Sequence, residues 1–146
     1  MKFRLIIDEV CEEEIVAKVR SANDLTRKIE DLVLSYIGND ELCVQGDYEL
    51  LNLKFQEIEC ITLVDRKLYV IDGKNNKYRT GGTLSDLEGK LPSCFIRINK
   101  STIANERRIS CFKTNFGGGV DAIFKCGYKD YVSRRCFAEI KRRYKV

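Results

Sequence analysis

The side chains best suited to chemistry are basic and amide groups that stand next to apolar residues in two stretches near the C-terminus. The first is CFIRINKSTIANERRI at residues 94–109, and the second is YVSRRCFAEIKRR at residues 131–143. Because the neighbouring apolar residues must be buried, we expect the charged groups to lie on a rigid edge of the fold. Guanidinium, ammonium and amide groups held in this way suit hydrogen bonding to phosphates and to base edges. Both stretches therefore indicate a surface that binds a polyanion.

The charge distribution favours the same interpretation. The net charge is only +4, but residues 94–146 carry 13 Lys and Arg against 4 Asp and Glu, whereas residues 1–50 carry 6 against 12. A basic C-terminal third on a nearly neutral chain is typical of a nucleic-acid-binding face. The alternative is a solvated surface that happens to be basic.

The sequence contains no histidine, which removes Ser-His and Cys-His catalysis, most zinc sites and the commonest general base at neutral pH. Its seven cysteines are scattered without any C-x-x-C pair, so we interpret them as small hydrophobic residues and not as metal ligands or disulfides. We therefore expect no enzymatic activity, no cofactor and no metal.

The length and the hydrophobic pattern of the sequence indicate which class of protein to expect. At 146 residues and 44% apolar content the chain can bury a real core, and no apolar run is long enough to cross a bilayer. The start MKFRLIID turns acidic at Asp8 and does not continue into a signal peptide. We expect a cytoplasmic protein.

Residues 1–45 are expected to form a small acidic αβ appendage that packs on itself or on a partner. Residues 2–7 form a β-type run, and residues 15–19 are a second strand candidate. A helix is expected to begin at Asn23 or Asp24 and to stop at Gly38-Asn39. Its apolar residues fall on one helical face: Leu25, Ile29, Leu32, Val33 and Tyr36.

Residues 46–135 contain many short strands separated by turn signals, which indicates a mainly β (α+β) fold of short antiparallel β-sheets. Asp72-Gly73 predicts a hairpin, and Thr83 is a candidate cap for a short helix. A tight turn is expected at residues 101–105. A C-terminal helix is expected to begin at Ser133, with Phe137, Ile140 and Tyr144 on its apolar face.

Four sequences in the second half of the chain occur in a fixed order: IRINKSTIAN at residues 96–105, Ile109, NFGG at residues 115–118 and VSRR at residues 132–135. They resemble the LytTR DNA-binding domain of bacterial transcription regulators. The resemblance covers residues 46–146. Residues 1–45 resemble the short N-terminal segment of stand-alone members and not a receiver domain, so Asp8 is not expected to be a phosphorylation site.

The resemblance implies an elongated domain that inserts loops into successive major grooves of promoter DNA. Three contact regions carry over by position: the turn at residues 65–67, with Arg66 and Lys67; the strand end with Asn99 and Lys100; and the helix start with Ser133, Arg134 and Arg135. Many members have histidine where this chain has Asn99, and often also where it has Arg66, so the preferred DNA sequence is expected to differ. The resemblance further implies a homodimer on direct repeats and an inhibitory membrane protein encoded nearby.

Elementary chemistry gives these residues roles. Arg134 and Arg135 fall in the first turn of the C-terminal helix, where cations oppose the helix dipole unless an anion is present. We assign the reading of a guanine to Arg134 and a phosphate contact to Arg135, with the reverse left open. The alternative is an ion pair of either arginine with Asp130 or Glu139.

The turn residues have alternatives as well. Asn99 and Lys100 are expected to emerge where the chain turns, so Asn99 can pair with adenine and Lys100 can contact phosphate or guanine. Arg66 and Lys67 form either a contact loop or merely a hairpin tip. The glycines at residues 117–119 lack the lysine of a phosphate-binding loop, so they indicate a flexible hairpin.

Two other functions remain open from the sequence. One is a protein-interaction module in which residues 1–45 dock a membrane partner and DNA binding is secondary. The other, a nucleotide-handling enzyme, has little support without histidine or a phosphate-loop lysine.

Overall fold

Two antiparallel sheets and three helices make up the computed structural model, which describes residues 2–10, 14–36 and 40–144. The helices are α1 (Asp24–Tyr36), α2 (Leu84–Glu88) and α3 (Arg134–Arg143). The strands are β1 (Glu41–Gln45), β2 (Leu50–Lys54), β3 (Ile58–Val64), β4 (Lys67–Asp72), β5 (Lys77–Thr80), β6 (Phe95–Asn99), β7 (Thr102–Asn105), β8 (Ile109–Thr114), β9 (Val120–Phe124) and β10 (Lys129–Val132). The expected mainly β fold with a C-terminal helix is confirmed.

The first seven strands form one sheet in the order β2-β1-β5-β4-β3-β7-β6, and the last three form a second sheet in the order β10-β9-β8. Consecutive strands are mostly joined by short hairpins. Because β3 pairs both with the next strand, β4, and with the more distant β7, it lies in the interior of the large sheet. This position explains why its residues 58–62 are all buried.

The alternating side chains of the large sheet pack into two apolar cores. Ile61, Val70 and Ile103 point to one face and share a core with Leu84 and Leu87 of α2. Leu34 of α1 packs against the same core. Cys60, Ile71 and Ala104 point to the other face, against the small sheet and α3. Complete burial of a side chain such as Phe124 or Ile98 contributes roughly 1.5–3 kcal/mol. The second core therefore fixes the small sheet and α3 against the large sheet.

Local capping signals behave as the sequence predicts. The Thr26 N–H donates to the Asn23 side chain, so Asn23 caps α1, and the Asp86 N–H donates to the Thr83 hydroxyl at the start of α2. The hairpin at Asp72-Gly73 joins β4 to β5. The expected stop of α1 at Gly38-Asn39 lies outside the described residues.

Three expectations about local structure are wrong. Residues 2–7 and 15–19 are not strands, and their apolar side chains are exposed. A β-type sequence forms a strand only when a neighbouring strand completes its hydrogen bonds, and in the described part of the chain none lies beside these residues. Residues 102–105 are strand β7 and not a turn, because β7 pairs with both β3 and β6.

Candidate nucleic-acid interface

The β3–β4 hairpin supplies the first of three adjacent turns. Val64 pairs with Lys67, so Asp65 and Arg66 form a two-residue tip, and both have positive φ, 50° and 64°. Positive φ at both tip residues is the geometry of a type I′ turn, which matches the twist of the flanking strands. Arg66 and Lys67 are exposed, and within the described residues neither forms an ion pair.

The β6–β7 turn lies beside this tip. The Leu63 N–H donates to the Ser101 carbonyl at 2.8 Å, which ties the end of β3 to the turn that contains Lys100. The Lys100 side chain is exposed, while its carbonyl accepts a 2.8 Å hydrogen bond from Arg97 Nη1. The backbone of this turn is therefore fixed while the ammonium group remains accessible.

Asn99 does not emerge at this turn, contrary to the sequence-based expectation. Its side chain is 2% exposed. The amide Nδ2 donates to the Tyr131 carbonyl at 2.8 Å, and Oδ1 accepts from the Ser101 N–H at 2.8 Å. Both ends of the amide are thus engaged within the protein, and Asn99 positions the Lys100 turn against β10.

The third turn joins β10 to α3. The Ser133 N–H donates to the Ile98 carbonyl at 2.8 Å, and the Ser133 hydroxyl accepts from the Cys136 N–H at 3.2 Å. Ser133 is therefore the helix cap that the sequence predicts, and Arg134 and Arg135 occupy the first turn of α3. The backbone N–H groups of such a turn have no partner inside the helix.

The two arginines differ in their surroundings. Arg135 Nε lies 3.8 Å from Glu139, but its side chain is 91% exposed, so the pair stabilises the fold by little. Arg134 is exposed and has no ion-pair partner in the part of the chain that the structure describes. Asp130, the other carboxylate considered from sequence, instead accepts a 2.5 Å hydrogen bond from the Thr102 hydroxyl.

Hydrogen bonds connect the three turns into one end of the molecule. The first turn is bonded to the second through Leu63 and Ser101, and the second is bonded to the third through Asn99 and Tyr131. We call this end the cationic rim; its exposed basic residues are Arg66, Lys67, Lys100, Arg134 and Arg135. The three regions named from sequence thus share one edge, with Asn99 beneath it.

Most other arginines of the basic C-terminal third serve internal ion pairs. Arg97 pairs with Glu88 at 3.4 Å, Arg107 with Asp31 at 3.3 Å and Arg143 with Glu106 at 2.7 Å. The high local charge therefore does not translate into one uniformly cationic surface. The side chains of the cationic rim are exposed and, apart from the weak Arg135 pair, not neutralised. Other basic residues of the described chain are also exposed without an ion pair, among them Lys113, Lys125, Lys129, Lys141 and Arg142. The rim differs from them in that hydrogen bonds join its three turns.

A buried polar junction holds the two sheets together behind the rim. Glu59, completely buried on β3, accepts hydrogen bonds from Arg108 Nε and, at 3.2 Å, from the Cys126 N–H. Sequence reasoning did not identify this carboxylate. The only local signal is a charged residue between Ile58 and Cys60 in an otherwise apolar strand, which predicts a buried partner for the charge.

A second polar network lies nearer the rim. The Thr62 and Thr102 hydroxyls are 2.9 Å apart, and Thr102 also donates to Asp130. Burial raises the pKa of the Tyr128 phenol to about 12 and the pKa of the Cys60 thiol well above its usual range. Both groups therefore stay protonated at neutral pH, and the thiol is not a reactive nucleophile.

The described residues contain no group of three or more His, Cys, Asp or Glu side chains placed to hold a metal ion. Across the same residues, no helix combines the length and the apolar character required for a membrane span.

Comparison with known proteins decides the family. The family model for the LytTr DNA-binding domain matches residues 48–145. The chain belongs to the LytTR family. The match contains all three turns of the cationic rim and both sheets apart from β1.

Similar proteins support this assignment at two levels. The chain is 26% identical over 147 residues to uncharacterized HTH-type transcriptional regulators of Staphylococcus aureus strains bovine RF122 and N315, covering 100% of this chain and 99% of each relative. The solved LytTr DNA-binding domain of a methyl-accepting/DNA response regulator from Bacillus cereus is 18% identical and has a TM-score of 0.66. The alignment covers 73% of this chain and 98% of the Bacillus cereus chain, so the two proteins share a fold.

Proposed function

We propose that this LytTR protein is a sequence-specific transcriptional regulator that reads major grooves of promoter DNA with its cationic rim. The observation that carries the proposal is the hydrogen-bonded convergence of three cationic turns on one rigid edge. Fixed cations of this kind neutralise phosphates and place selected side chains against base edges. In this role the protein acts in the cytoplasm and has no enzymatic activity.

Each rim residue has a role in this proposal. Arg134 reads a guanine and Arg135 binds a phosphate, since Arg134 lacks a carboxylate partner whereas Arg135 has Glu139 nearby. Arg66, Lys67 and Lys100 contact the DNA from the two hairpin tips. Ser133 aligns the free N–H groups of α3 with a phosphate, and Asn99 acts by positioning the Lys100 turn.

Equilibrium binding at several salt concentrations tests the proposal. The full chain is used to select duplexes from a randomised pool, and the selected duplex is compared with a scrambled one. We expect the selected duplex to bind roughly 10³-fold or more tightly, and affinity for both to fall steeply with salt. Equal affinity for the two duplexes, or affinity that does not depend on salt, would refute sequence-specific binding through the rim.

The tip conformation of Arg66 yields a separate prediction. A non-glycine residue at φ 64° is strained, and glycine relieves this strain while removing the guanidinium. Arg66→Gly should therefore leave the free energy of unfolding unchanged or raise it by up to about 1 kcal/mol, while it weakens DNA binding. Chemical denaturation and the duplex titration measure the two effects.

Asn75 provides a matched control for that change. It also has positive φ, 63°, but it lies in the β4–β5 turn at the opposite end of β4. Asn75→Gly should relieve less strain, because asparagine adopts this conformation more readily than arginine, and it should cause no loss of DNA affinity. If Arg66→Gly binds DNA as tightly as the wild type, the β3–β4 tip does not contact DNA.

The dimer and the membrane partner also belong to the proposal. Two copies on direct repeats would double the number of grooves read, and an inhibitory membrane protein would keep the regulator from DNA. The dimer and the membrane partner are both implied by the family resemblance. The membrane partner is also supported by one structural feature, the exposed apolar side chains of the N-terminal residues.

This feature favours a second candidate function, a protein-interaction module. Residues 2–10 and 14–23 expose a series of large apolar side chains, which is typical of a surface that binds another protein: Phe3, Leu5, Ile6, Ile7, Val10, Ile15, Val16 and Val19. Deleting residues 2–20 should leave DNA affinity of the purified protein unchanged and alter promoter output in cells. Unchanged promoter output in cells would remove the docking role.

A further inference from the structure

A fourth turn, the β8–β9 hairpin, is rigidly built around one asparagine. The Asn115 N–H donates to the Gly119 carbonyl at 2.8 Å, and the Gly118 N–H donates to the Asn115 carbonyl at 3.1 Å. The Asn115 side-chain oxygen also accepts from the N–H groups of Gly117 at 3.1 Å and Gly119 at 3.0 Å. Five residues are thereby held by four hydrogen bonds, so the glycine-rich tip is ordered.

This turn presents a single large side chain to solvent. Phe116 has a relative exposure of 113%, the largest of any apolar residue in the described part of the chain. The three glycines that follow it add no side chain, and Gly118, at φ 79°, has a conformation that disfavours one. The hairpin thus holds an aromatic ring in water, where packing against a partner would remove its apolar surface from solvent.

The strand register places the tip of the β8–β9 hairpin beside the first turn of α3. Val120 at the start of β9 pairs with Val132 at the end of β10, one residue before Ser133. Gly118 and Gly119 of the tip line one shallow depression together with Arg134 of α3. Phe116 lines a neighbouring depression, with Lys113, Ile123 and Lys129 of the small sheet. The hairpin tip therefore neighbours the first turn of α3, where Arg134 lies.

We propose that Phe116 inserts into the DNA major groove beside the first turn of α3 and packs there against thymine methyl groups. The proposal rests on the DNA-binding function proposed above and adds an apolar specificity element to it. The thymine 5-methyl group is the one apolar feature that a major groove displays, and it distinguishes thymine from the other bases. The small glycines let the hairpin backbone approach the DNA without steric hindrance from side chains.

The test compares the full chain with its Phe116→Ala variant on the selected duplex. Burial of much of a phenylalanine ring corresponds to about a 10-fold change in affinity, so we expect Phe116→Ala to bind about 10-fold more weakly. The salt dependence of binding should be unchanged, because no charge is removed. Since the ring has no internal packing role, the melting temperature should also be unchanged.

Uracil substitution identifies the contact on the DNA. Replacing thymines one at a time by uracil removes only the methyl group. At one or two positions we expect weaker binding by the wild type and no further loss in Phe116→Ala. If no uracil affects the wild type differently from the variant, the thymine contact is refuted.

Tyr48 supplies a matched control, because it is equally exposed, at 101%, in the β1–β2 connection on the far side of the large sheet. Tyr48→Ala should bind the selected duplex like the wild type. If the wild type binds its selected duplex and Phe116→Ala binds it equally tightly, the role of Phe116 is refuted but the proposed function is not. A wild type that shows no sequence preference overturns the proposed function as well.

Discussion

Replacing Arg134 with alanine is expected to weaken binding to the selected duplex by about 1–3 kcal/mol, or roughly 5- to 150-fold. Arg134 is exposed at the first turn of α3 and has no ion-pair partner among the described residues, so its guanidinium is available for a guanine edge. Affinity for the scrambled duplex should fall much less. The titration of both duplexes measures the difference, and relaxed preference at a single base pair would identify the guanine.

Two other substitutions show whether this loss is specific to base reading. Lys100→Ala should weaken binding to both duplexes alike and reduce the salt slope by about one, as expected for a phosphate contact. Arg142→Ala, at the opposite end of α3, should have little effect on sequence preference. If Arg135→Ala, and not Arg134→Ala, relaxes the sequence preference, the roles of the two arginines are reversed.

Replacing Arg108 with alanine is expected to lower the free energy of unfolding by about 3–5 kcal/mol, because the substitution leaves a buried charge without its partner. The Glu59 carboxylate is completely buried and, among the described residues, would keep the Cys126 N–H as its one hydrogen-bond donor. The loss should loosen the contact between the two sheets, which the second apolar core still holds, and so weaken DNA binding indirectly. Chemical denaturation of the purified variant measures the effect.

The neighbouring Arg107 provides the control for this prediction. Its ion pair with Asp31 lies at the surface, so Arg107→Ala should cost only about 0–1 kcal/mol. A double variant with leucine at both Glu59 and Arg108 should recover much of the stability lost in Arg108→Ala, since no charge remains buried. Equal losses for Arg107→Ala and Arg108→Ala would contradict a special role for the buried pair.

The features that sequence reasoning predicted are those set by neighbouring residues. Capping by Asn23, Thr83 and Ser133 depends on a hydroxyl or amide within three residues of its N–H partner, so the local sequence contains the necessary information. The hairpin at Asp72-Gly73 is local in the same sense. That the three contact regions lie along one edge was predicted from the family resemblance and not from these local signals.

The features that sequence reasoning missed depend on residues far apart in the chain. Asn99 is buried because its amide bonds to Tyr131, 32 positions away, and Glu59 is buried because Arg108 and Cys126 reach it across the sheet interface. Residues 2–7 illustrate the opposite case, since their β-type pattern is intact but no described strand lies beside them. A pattern along the chain does not reveal whether such a partner exists.

The hydrogen bonds from Ser133 to Ile98 and from Asn99 to Tyr131 have a mechanical consequence for the DNA. They fix the separation between the Lys100 turn and the start of α3, so these two points of the protein cannot move apart to follow a stretched or shortened target. The duplex must supply the adjustment by bending or twisting, and its stiffness varies with base sequence. We therefore expect flexible pyrimidine–purine steps between the contacted positions to favour binding even where no side chain touches them.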